Sequence, residues 1–177
     1  SRRQRQMCKE TGLDLCYLGL AECDGHGNIN VSRFGPRIAG CGGFINITQN
    51  THKVFFCGTF TAGGLKVKVE DGKVVIAQEG KQKKFLKDVE QITFNGDIAL
   101  QNKQEVMYIT ERCVFQLKED GMHLTEIAPG IDLQTQILDM MDFEPIVDRD
   151  ANGEIKLMDA KLFAEGLMGL KEMKEGC

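Results

Sequence analysis

The 177-residue sequence lacks the patterns on which several common enzyme mechanisms depend. Its only serines are Ser1 and Ser32, and neither lies in the G-x-S-x-G turn of a serine hydrolase, which excludes that class. No G-x-x-x-x-G-K-[ST] motif is present, and Ile45 stands where a G-x-G-x-x-G motif starting at Gly40 would need its third glycine. The sequence therefore contains neither of the two common nucleotide-binding loops.

Long apolar runs and an excess of positive charge are also missing. No stretch reaches the roughly 18 apolar residues of a membrane-spanning helix, and no continuous apolar segment follows the opening SRRQRQMCKE. The net charge of −4 argues against general binding to nucleic acid, which needs basic patches to neutralise phosphates. Since 42% of the residues are apolar, the chain can bury a core, and we expect a soluble globular domain that binds neither nucleic acid nor membrane.

The seven cysteines form no C-x-x-C pair, which excludes a zinc ribbon and a dithiol redox motif. Their odd number and their spacing are typical of a reducing compartment. We therefore expect a cytoplasmic protein, with the mitochondrial matrix as the alternative for a eukaryotic source.

Glycine, in contrast, is concentrated in one region. Seven of the twenty glycines lie within residues 35–64, where a Gly-Cys-Gly-Gly turn at residues 40–43 separates two apolar segments. Glycine serves where the backbone needs positive φ or where another group must approach the main chain closely. The turn is therefore either a tight connection between buried elements or a site at which a ligand meets the backbone. Cys41 could be an activated thiol in such a site or a small buried residue.

The hydrophobic pattern predicts a strand-rich α/β domain with its helices late in the chain. A hairpin is predicted at 65–77 around Asp71-Gly72, a strong turn signal. Further strands are predicted at 13–23, 29–33, 53–60, 89–94, 105–110, 113–117 and 123–127, with the last two paired. Helices are predicted at 43–50, 132–141 and 156–167.

Two charged segments allow a functional or a purely solvated interpretation. Residues 148–159, DRDANGEIKLMD, place oxygen ligands and a glycine as a calcium-binding helix-loop-helix motif requires. Asp159 at the last loop position, Lys156 at the ninth and Pro145 before the loop weaken that match, so a solvated acidic turn without metal is favoured. The second charged segment is a basic cluster of the lysines at 66, 68, 81, 83 and 84. It is either a charged hairpin face in water or a binding site for ligand phosphates.

Several motifs follow one another in order from about residue 13 to 169, and they include LDLCYLGLAECDGHGNINVSRFG, GCGGFINITQN, KVFFCGTFTAGGLKV, VEQITFNG, YITERCVFQL and LTEIAPGIDLQTQIL. Together they resemble the C-terminal part of family I coenzyme A transferases. The chain is similar to the acetate/acetoacetate and propionate type, which acts in short-chain acyl-CoA and ketone-body metabolism. We therefore expect a C-terminal CoA-transferase domain at 13–169, with an N-terminal tail at 1–12 and a C-terminal tail at 170–177.

The resemblance implies a three-layer α/β/α domain with a mixed sheet and several β-hairpins. It also implies a ping-pong transfer of CoA between carboxylic acids, in which a glutamate forms an acyl-glutamyl anhydride and then a glutamyl-CoA thioester. In such a reaction backbone amides of the glycine turn stabilise the oxyanion. The resemblance assigns that role to Gly43 and Phe44, with Gly42 allowing close approach. Coenzyme A or acyl-CoA is then a substrate, and no cofactor is permanently bound.

The nucleophilic glutamate of the family lies in a Glu-Asn-Gly motif well upstream of the strand that contains Leu18-Gly19-Leu20, and Glu10 stands too close to that strand to match it. The leading hypothesis is therefore part of a CoA-transferase, inactive alone, in a homo-oligomeric enzyme. Another segment of the same chain or a second subunit would supply the glutamate. The alternative is a non-catalytic module that binds CoA or acyl-CoA. A sugar-phosphate isomerase of the same fold has no specific motif in its favour.

Overall fold

The computed structural model describes residues 13–164 as short strands joined by turns and a few short helices. The strands are β1 (Leu13–Gly19), β2 (Glu22–Asp24), β3 (Ile29–Asn30), β4 (Arg33–Phe34), β5 (Arg37–Ile38), β6 (Thr51–Cys57), β7 (Thr61–Ala62), β8 (Lys66–Glu70), β9 (Lys73–Gln78), β10 (Gln82–Lys83), β11 (Phe85–Leu86), β12 (Glu105–Ile109), β13 (Cys113–Lys118), β14 (Gly121–Ile127), β15 (Ile146–Val147) and β16 (Lys156–Leu157). The α-helices are α1 (Phe44–Gln49), α2 (Gly96–Gln101) and α3 (Leu133–Gln136), and 3-10 turns occur at Leu138–Met140 and Ala160–Phe163. None of the described helices is long and apolar enough to cross a membrane.

A mixed seven-stranded sheet forms the centre of the domain. Its strand order is β1-β6-β12-β13-β14-β15, and β16 also pairs with β14. The strands β1, β6 and β12 are parallel, whereas β12, β13 and β14 follow one another antiparallel. The parallel half and the hairpin half therefore share strand β12.

Alternation along the strands decides which face of the sheet carries the core. Val54 and Phe56 in β6 are fully buried, and their neighbours Val106 and Tyr108 in β12 are fully buried beside them. Helix α1 packs over this face, where Phe44 stacks on Phe56 with ring centroids 5.7 Å apart. One face of the parallel strands therefore holds both the core and the helix that starts at the glycine turn.

The predicted α/β class, with a mixed sheet and several hairpins, is confirmed. The hairpin predicted at 65–77 is β8–β9, and its turn places Asp71 at φ 51° and Gly72 at φ 72°, as the tight Asp-Gly turn requires. The predicted pairing of 113–117 with 123–127 is the hairpin β13–β14. The helix predicted at 43–50 is α1.

The strand predicted at 13–23 is divided in two, because the chain changes its pairing partner after Leu20. The amide of Leu20 still donates to the carbonyl of Cys57 in β6 at 2.9 Å. The amide of Cys23 instead donates to the carbonyl of Lys84 at 2.8 Å, in a separate sheet of β11, β2 and β3. The apolar run predicts the strand, but no residue pattern within the run marks the point at which the strand changes its pairing partner.

The strand predicted at 89–94 is wrong. Only Phe94 forms a bridge, with Ile29, and the amide of Thr93 also donates to the carbonyl of Ile29 at 2.8 Å. The hydroxyl of Thr93 accepts from the amide of Val31 at 3.2 Å. This segment therefore closes a loop against β3 and makes no ladder of its own.

The helix predicted at 132–141 is interrupted. Asp132 caps α3 by accepting from the amide of Thr135, but the fully buried Ile137 has φ −123° and ψ −69° and ends the helix. The carbonyl of Gln136 accepts from the Arg112 guanidinium at 2.8 Å instead of continuing the helical ladder. A tertiary contact thus overrides the local helical preference.

The helix predicted at 156–167 is wrong over its described part. Lys156–Leu157 form β16 beside Glu126 and Ile127 of β14, and Ala160–Phe163 form only a 3-10 turn. The last three residues of that prediction lie outside the described range. Pairing with the sheet therefore outweighs the helical pattern here.

Candidate functional site

The carboxyl ends of β1, β6 and β12 meet at one edge of the sheet, the place at which open α/β sheets bind their ligands. Gly19 is in register with Cys57, and Cys57 with Ile109, so the three strands end side by side. A ligand site is therefore expected at this edge of the sheet.

The glycine turn of residues 40–43 lies at the same end of the sheet, because α1 runs back along the parallel strands. Phe44, the first residue of α1, stacks over Phe56, one residue before the end of β6. At the other end of the helix, the carbonyl of Asn50 accepts from the amide of Leu13 at the start of β1, at 2.7 Å. The direction of this short helix thus brings the turn toward the strand ends.

Two glycines of the turn are required by backbone conformation. Gly40 has φ 77° and Gly42 has φ 52°, and a side chain is strained in that region. A Cβ at either position would meet no atom within 4 Å. Crowding therefore does not require glycine at either position, whereas the positive φ angles do.

Gly43 has no such explanation. Its φ of −87° and ψ of 1° are open to other residues, and a Cβ there would meet only Cδ1 of Ile47, at an ordinary 3.7 Å. At Gly96, by contrast, a Cβ would lie 2.0 Å from the carbonyl oxygen of His26. Packing among the described residues therefore requires glycine at 96 but not at 43, as expected for a position that a ligand approaches.

The backbone amides of the turn differ in availability. The amide of Phe44 donates to the carbonyl of Cys41 at 3.0 Å, closing the turn. The amide of Gly43 has no hydrogen-bond acceptor among residues 13–164. Gly43 can thus donate to a ligand as it stands, whereas Phe44 would have to share or break its bond to Cys41. The oxyanion role expected of both residues stays a prediction, and the geometry favours Gly43.

Cys41 is half-buried and packs against the edge of the core. Cys41 forms no disulfide within the described part of the chain, and its role, structural or catalytic, stays a prediction. In the same part, no group of three or more His, Cys, Asp or Glu side chains is placed to hold a metal ion.

A buried arginine joins the loops beside this edge. The guanidinium of the fully buried Arg112 contacts both carboxylate oxygens of Glu79, at 2.9 and 3.1 Å, and one oxygen of Glu111 at 2.8 Å. It also lies over the ring of Phe60, with Cζ 4.7 Å from the centroid. Burial alone would lower the pKa of Arg112, but the hydrogen bonds that its guanidinium donates to Glu79 and Glu111 raise it. Sequence reasoning missed this cluster, because nothing around Arg112 signals burial.

The basic cluster expected from the sequence is not one surface. Lys66 and Lys68 are exposed in β8, whereas Lys84 is only 7% exposed and donates to the carbonyl of Thr59 at 2.6 Å. Burial lowers the pKa of Lys84 although the nearby Glu111 opposes that shift. Lys84 is therefore a buried residue that contacts the loop after β6. It belongs neither to a charged face in water nor to an exposed site for ligand phosphates.

The acidic segment lies between two short strands instead of two helices. Asp148 accepts from Lys118 at 2.8 Å and is 2.6 Å from Nδ1 of His123. Burial would raise the pKa of Asp148, but its hydrogen bonds with Lys118 and His123 outweigh burial and lower it. The Oδ1 atom of Asp150 accepts two backbone amides of its own loop, including that of Glu154 at 2.9 Å. Asp148 and Oδ1 of Asp150 thus have hydrogen-bond partners within the chain, and an acidic turn without metal stays a prediction.

We expect isothermal titration of the chain with calcium chloride to reveal no binding tighter than about 1 mM. The reason is that Asp148 and Asp150 would have to give up their present hydrogen bonds to coordinate the ion. Asp150→Ala serves as the control and should give the same flat titration. A micromolar site that disappears in Asp150→Ala would contradict this expectation.

No protein-family model matches the chain. Over 158 residues the chain is 55% identical to the acetate CoA-transferase YdiF of Escherichia coli, and the match covers 89% of this chain and 29% of that protein. Over 164 residues it is 53% identical to the caffeate CoA-transferase of Acetobacterium woodii, covering 90% of this chain and 30% of that protein. The chain thus spans only 29–30% of the length of these curated relatives.

A solved structure agrees with these matches. The chain superposes with a TM-score of 0.88 and 53% identity on the crystal structure of the acyl-CoA transferase YdiF from Escherichia coli in its thioester complex with CoA, covering 94% of this chain and 32% of that one. The resemblance to CoA-transferases that the sequence motifs predicted is therefore confirmed, for a segment that makes up about a third or less of those proteins.

Proposed function

We propose that this chain is one part of an enzyme that transfers CoA from an acyl-CoA to a carboxylic acid. The observation that carries the proposal is the open amide of Gly43 at the carboxyl edge of the sheet, within a segment 55% identical to an acetate CoA-transferase. Neither the backbone conformation nor the packing of the described residues requires glycine there. Close approach of a substrate to the backbone would explain why residue 43 is a glycine.

The chemistry runs through a covalent intermediate on a glutamate. The glutamate carboxylate attacks the thioester carbonyl, a C–O bond forms, and the C–S bond breaks to release CoA thiolate and leave an acyl-glutamyl anhydride. The thiolate then attacks the glutamyl carbonyl, which releases the first carboxylate and leaves a glutamyl-CoA thioester. The acceptor acid reverses these steps. Negative charge develops on a carbonyl oxygen at each attack, and the amide of Gly43 is the donor we assign to it.

The attacking glutamate comes from outside this chain. The two glutamates beside the strand ends, Glu79 and Glu111, both lie against Arg112, so neither carboxylate is free to attack a thioester. The curated relatives are more than three times as long as the matched segment, which leaves ample chain to supply the nucleophile. That glutamate stands either in the same polypeptide or in a second subunit.

The proposal leaves the acyl group open. Relatives at 55% and 53% identity carry the names of an acetate and a caffeate CoA-transferase, which differ greatly in the size of the acid. Identity at this level over one segment therefore does not select the substrate. The acetate, propionate or acetoacetate type expected from the motifs stays a prediction.

The test compares this chain alone with the complete polypeptide that contains it. We expect the chain alone to show no exchange between acetyl-CoA and isotope-labelled acetate, and the same result with propionyl-CoA and propionate. The complete polypeptide should catalyse exchange with its own acyl-CoA. Its intact mass after incubation with acyl-CoA should rise by the mass of one CoA less one water, and peptide mass spectrometry should place the adduct on a glutamate outside residues 1–177.

Two results would overturn the proposal in different ways. Exchange by the chain alone would mean that a glutamate within it is the nucleophile. Saturable CoA binding by the complete polypeptide, without exchange and without the covalent adduct, would support the non-catalytic binding module instead.

A further inference from the structure

A short hairpin leads directly into the glycine turn. Strands β4 and β5 pair antiparallel and are joined by a tight turn. The carbonyl of Ser32, just before β4, accepts from the amides of Ala39 and Gly40 at 2.8 and 3.2 Å. The hairpin therefore closes at the residue where the glycine turn begins. We call residues 33–38 the rim hairpin.

Buried and charged side chains hold the rim hairpin in place. Asn30 is fully buried, and its Oδ1 atom accepts from the amides of Ser32 and Arg33, both at 3.1 Å. Farther along the hairpin, the carboxylate of Glu90 accepts from the amide of Gly35 at 2.6 Å. These contacts fix the position of the rim hairpin beside the glycine turn without the help of a ligand.

The two arginines of the rim hairpin differ in their electrostatic partners. Arg33 pairs with Glu90, and its Nε atom lies 3.2 Å from the carboxylate. Arg37 is exposed, and its guanidinium forms no ion pair among residues 13–164. Side chains alternate along a strand, so Arg37 lies on the face of its cross-strand neighbour Phe34, opposite to Arg33. That face carries a positive charge that pairs with no described carboxylate.

Other cations beside the strand ends are already engaged. Arg112 is fully buried between the carboxylates of Glu79 and Glu111. Lys84 is buried as well and donates to a backbone carbonyl. The chain as a whole has a net charge of −4, so an anionic ligand needs a local positive group. Arg37 provides such a group on the loop that enters the glycine turn.

Acyl-CoA is an anion whose charge lies far from its reacting carbonyl. The thioester joins a flexible arm that ends in a diphosphate, and a further phosphate stands on the ribose. An arm of this kind spans up to roughly 15 Å when extended, and the six residue steps from Gly43 to Arg37 span at most roughly 20 Å. A carbonyl at the amide of Gly43 therefore leaves the phosphates within reach of the rim hairpin.

We propose that Arg37 binds a phosphate group at the nucleotide end of acyl-CoA. The guanidinium presents planar N–H donors that match phosphate oxygens, and both charges are then neutralised. The identity of the substrate rests on the proposed function. Arg37 acts far from the reacting carbonyl, so its contact is the same in the ground state and in the transition state. Such uniform binding lowers KM and leaves kcat unchanged.

The test compares two thioesters of the same acid as substrates of the complete polypeptide. One is the acyl-CoA, and the other is the acyl-pantetheine, which lacks every phosphate. Arg37→Ala should raise the KM for acyl-CoA about tenfold, the effect of losing a hydrogen bond to a charged group. The kcat with acyl-CoA and the kcat/KM with acyl-pantetheine should match those of the parent. Arg37→Lys should recover part of the loss, because it keeps the charge without the planar donors.

A third substrate identifies the phosphate. Acyl-dephospho-CoA keeps the diphosphate but lacks the phosphate on the ribose. An effect of Arg37→Ala on KM that disappears with this substrate assigns Arg37 to the ribose phosphate. An effect that persists assigns Arg37 to the diphosphate.

Ile38→Ala is the control within the same hairpin. Ile38 is 80% exposed and pairs with Arg33, on the face opposite to Arg37. Its truncation should leave the KM for acyl-CoA unchanged. Both variants should keep the thermal stability of the parent, because both side chains are exposed. A similar rise in KM in Ile38→Ala would contradict a specific role for the charge of Arg37.

Two further results would overturn the role of Arg37. One is an unchanged KM for acyl-CoA in Arg37→Ala. The other is an equal loss of kcat/KM with acyl-CoA and with acyl-pantetheine, which would mean that the effect does not depend on phosphate. Isothermal titration of the complete polypeptide with CoA gives the same comparison without turnover. A Kd about tenfold higher in Arg37→Ala, in a polypeptide that shows no CoA exchange, would contradict only the proposed function.

Discussion

Arg112→Ala is expected to lower the free energy of unfolding of the chain by roughly 3–5 kcal/mol, or to prevent folding. The guanidinium is fully buried, and its removal leaves the carboxylates of Glu79 and Glu111 without their counter-charge. The Glu111 side chain is only 17% exposed, so water can solvate it only in part. The contact over the Phe60 ring is lost as well. Urea denaturation followed by circular dichroism measures the change.

Arg33→Ala is the matched control, because Arg33 also pairs with a glutamate. Its partner is Glu90 at 3.2 Å, but the arginine side chain is 53% exposed, and such pairs contribute about 1 kcal/mol or less. Arg112→Lys should fall between the two, since an ammonium keeps the charge but cannot bind both oxygens of Glu79 in one plane. Equal losses in Arg112→Ala and Arg33→Ala would refute a structural role for the buried cluster.

The elements that could be predicted from the sequence are those whose hydrogen bonds are local or whose apolar run is long. The Asp71-Gly72 turn fixes its own hairpin, and 113–117 with 123–127 form a hairpin across a short connection. The predictions were wrong where a residue distant in sequence forms a hydrogen bond with a backbone group that the predicted helix or strand would have used. Arg112 captures the carbonyl of Gln136 and shortens a helix, and Ile29 occupies the amide of Thr93 and prevents a strand.

The glycine turn of the candidate site could be recognised in the sequence, but its hydrogen bonding could not. The density of glycines at 40–43 indicated the turn, and the family resemblance indicated its chemistry. The difference between the free amide of Gly43 and the bonded amide of Phe44 depends on the fold of the turn, which no composition reveals. The burial of Lys84 depends on contacts with the separate loop at Thr59. Sequence alone therefore placed it wrongly in a surface cluster.

Some glycines of the described residues are required by the fold, and Gly43 is among those for which these residues give no structural reason. At Gly58 a Cβ would lie 2.8 Å from the carbonyl oxygen of Leu20, and at Gly80 it would lie 2.5 Å from that of Ala62. Both glycines thus allow close packing of the chain against itself. Gly43 has neither this constraint nor a positive φ, and its amide has no acceptor among residues 13–164. A substitution at Gly43 can therefore separate catalysis from folding.

Gly43→Val in the complete transferase polypeptide is expected to lower kcat by about 100-fold or more, because the new side chain keeps the carbonyl oxygen away from the Gly43 amide, and an unused oxyanion donor usually costs about that much. The branched side chain would project from the turn into the space that the thioester carbonyl must enter. The fold should tolerate it, because the new Cβ meets only Ile47 at 3.7 Å and the φ of −87° is negative. The loss of a glycine cap should destabilise the protein by no more than about 1 kcal/mol. Steady-state kinetics and thermal denaturation of the same preparation measure both effects.

Gln49→Val is the control for the effect of a branched side chain in the same helix. Gln49 is exposed in the last turn of α1, away from the glycine turn, so kcat should stay within a factor of two or so of the parent while stability changes by a similar small amount. Whether the substitution at Gly43 changes kcat or KM then decides the role of this residue. A fall in kcat and in kcat/KM together means that the amide acts in the transition state, whereas a rise in KM at constant kcat means that it only binds the ground state. Unchanged turnover, or a change in KM alone, would remove the oxyanion role from Gly43.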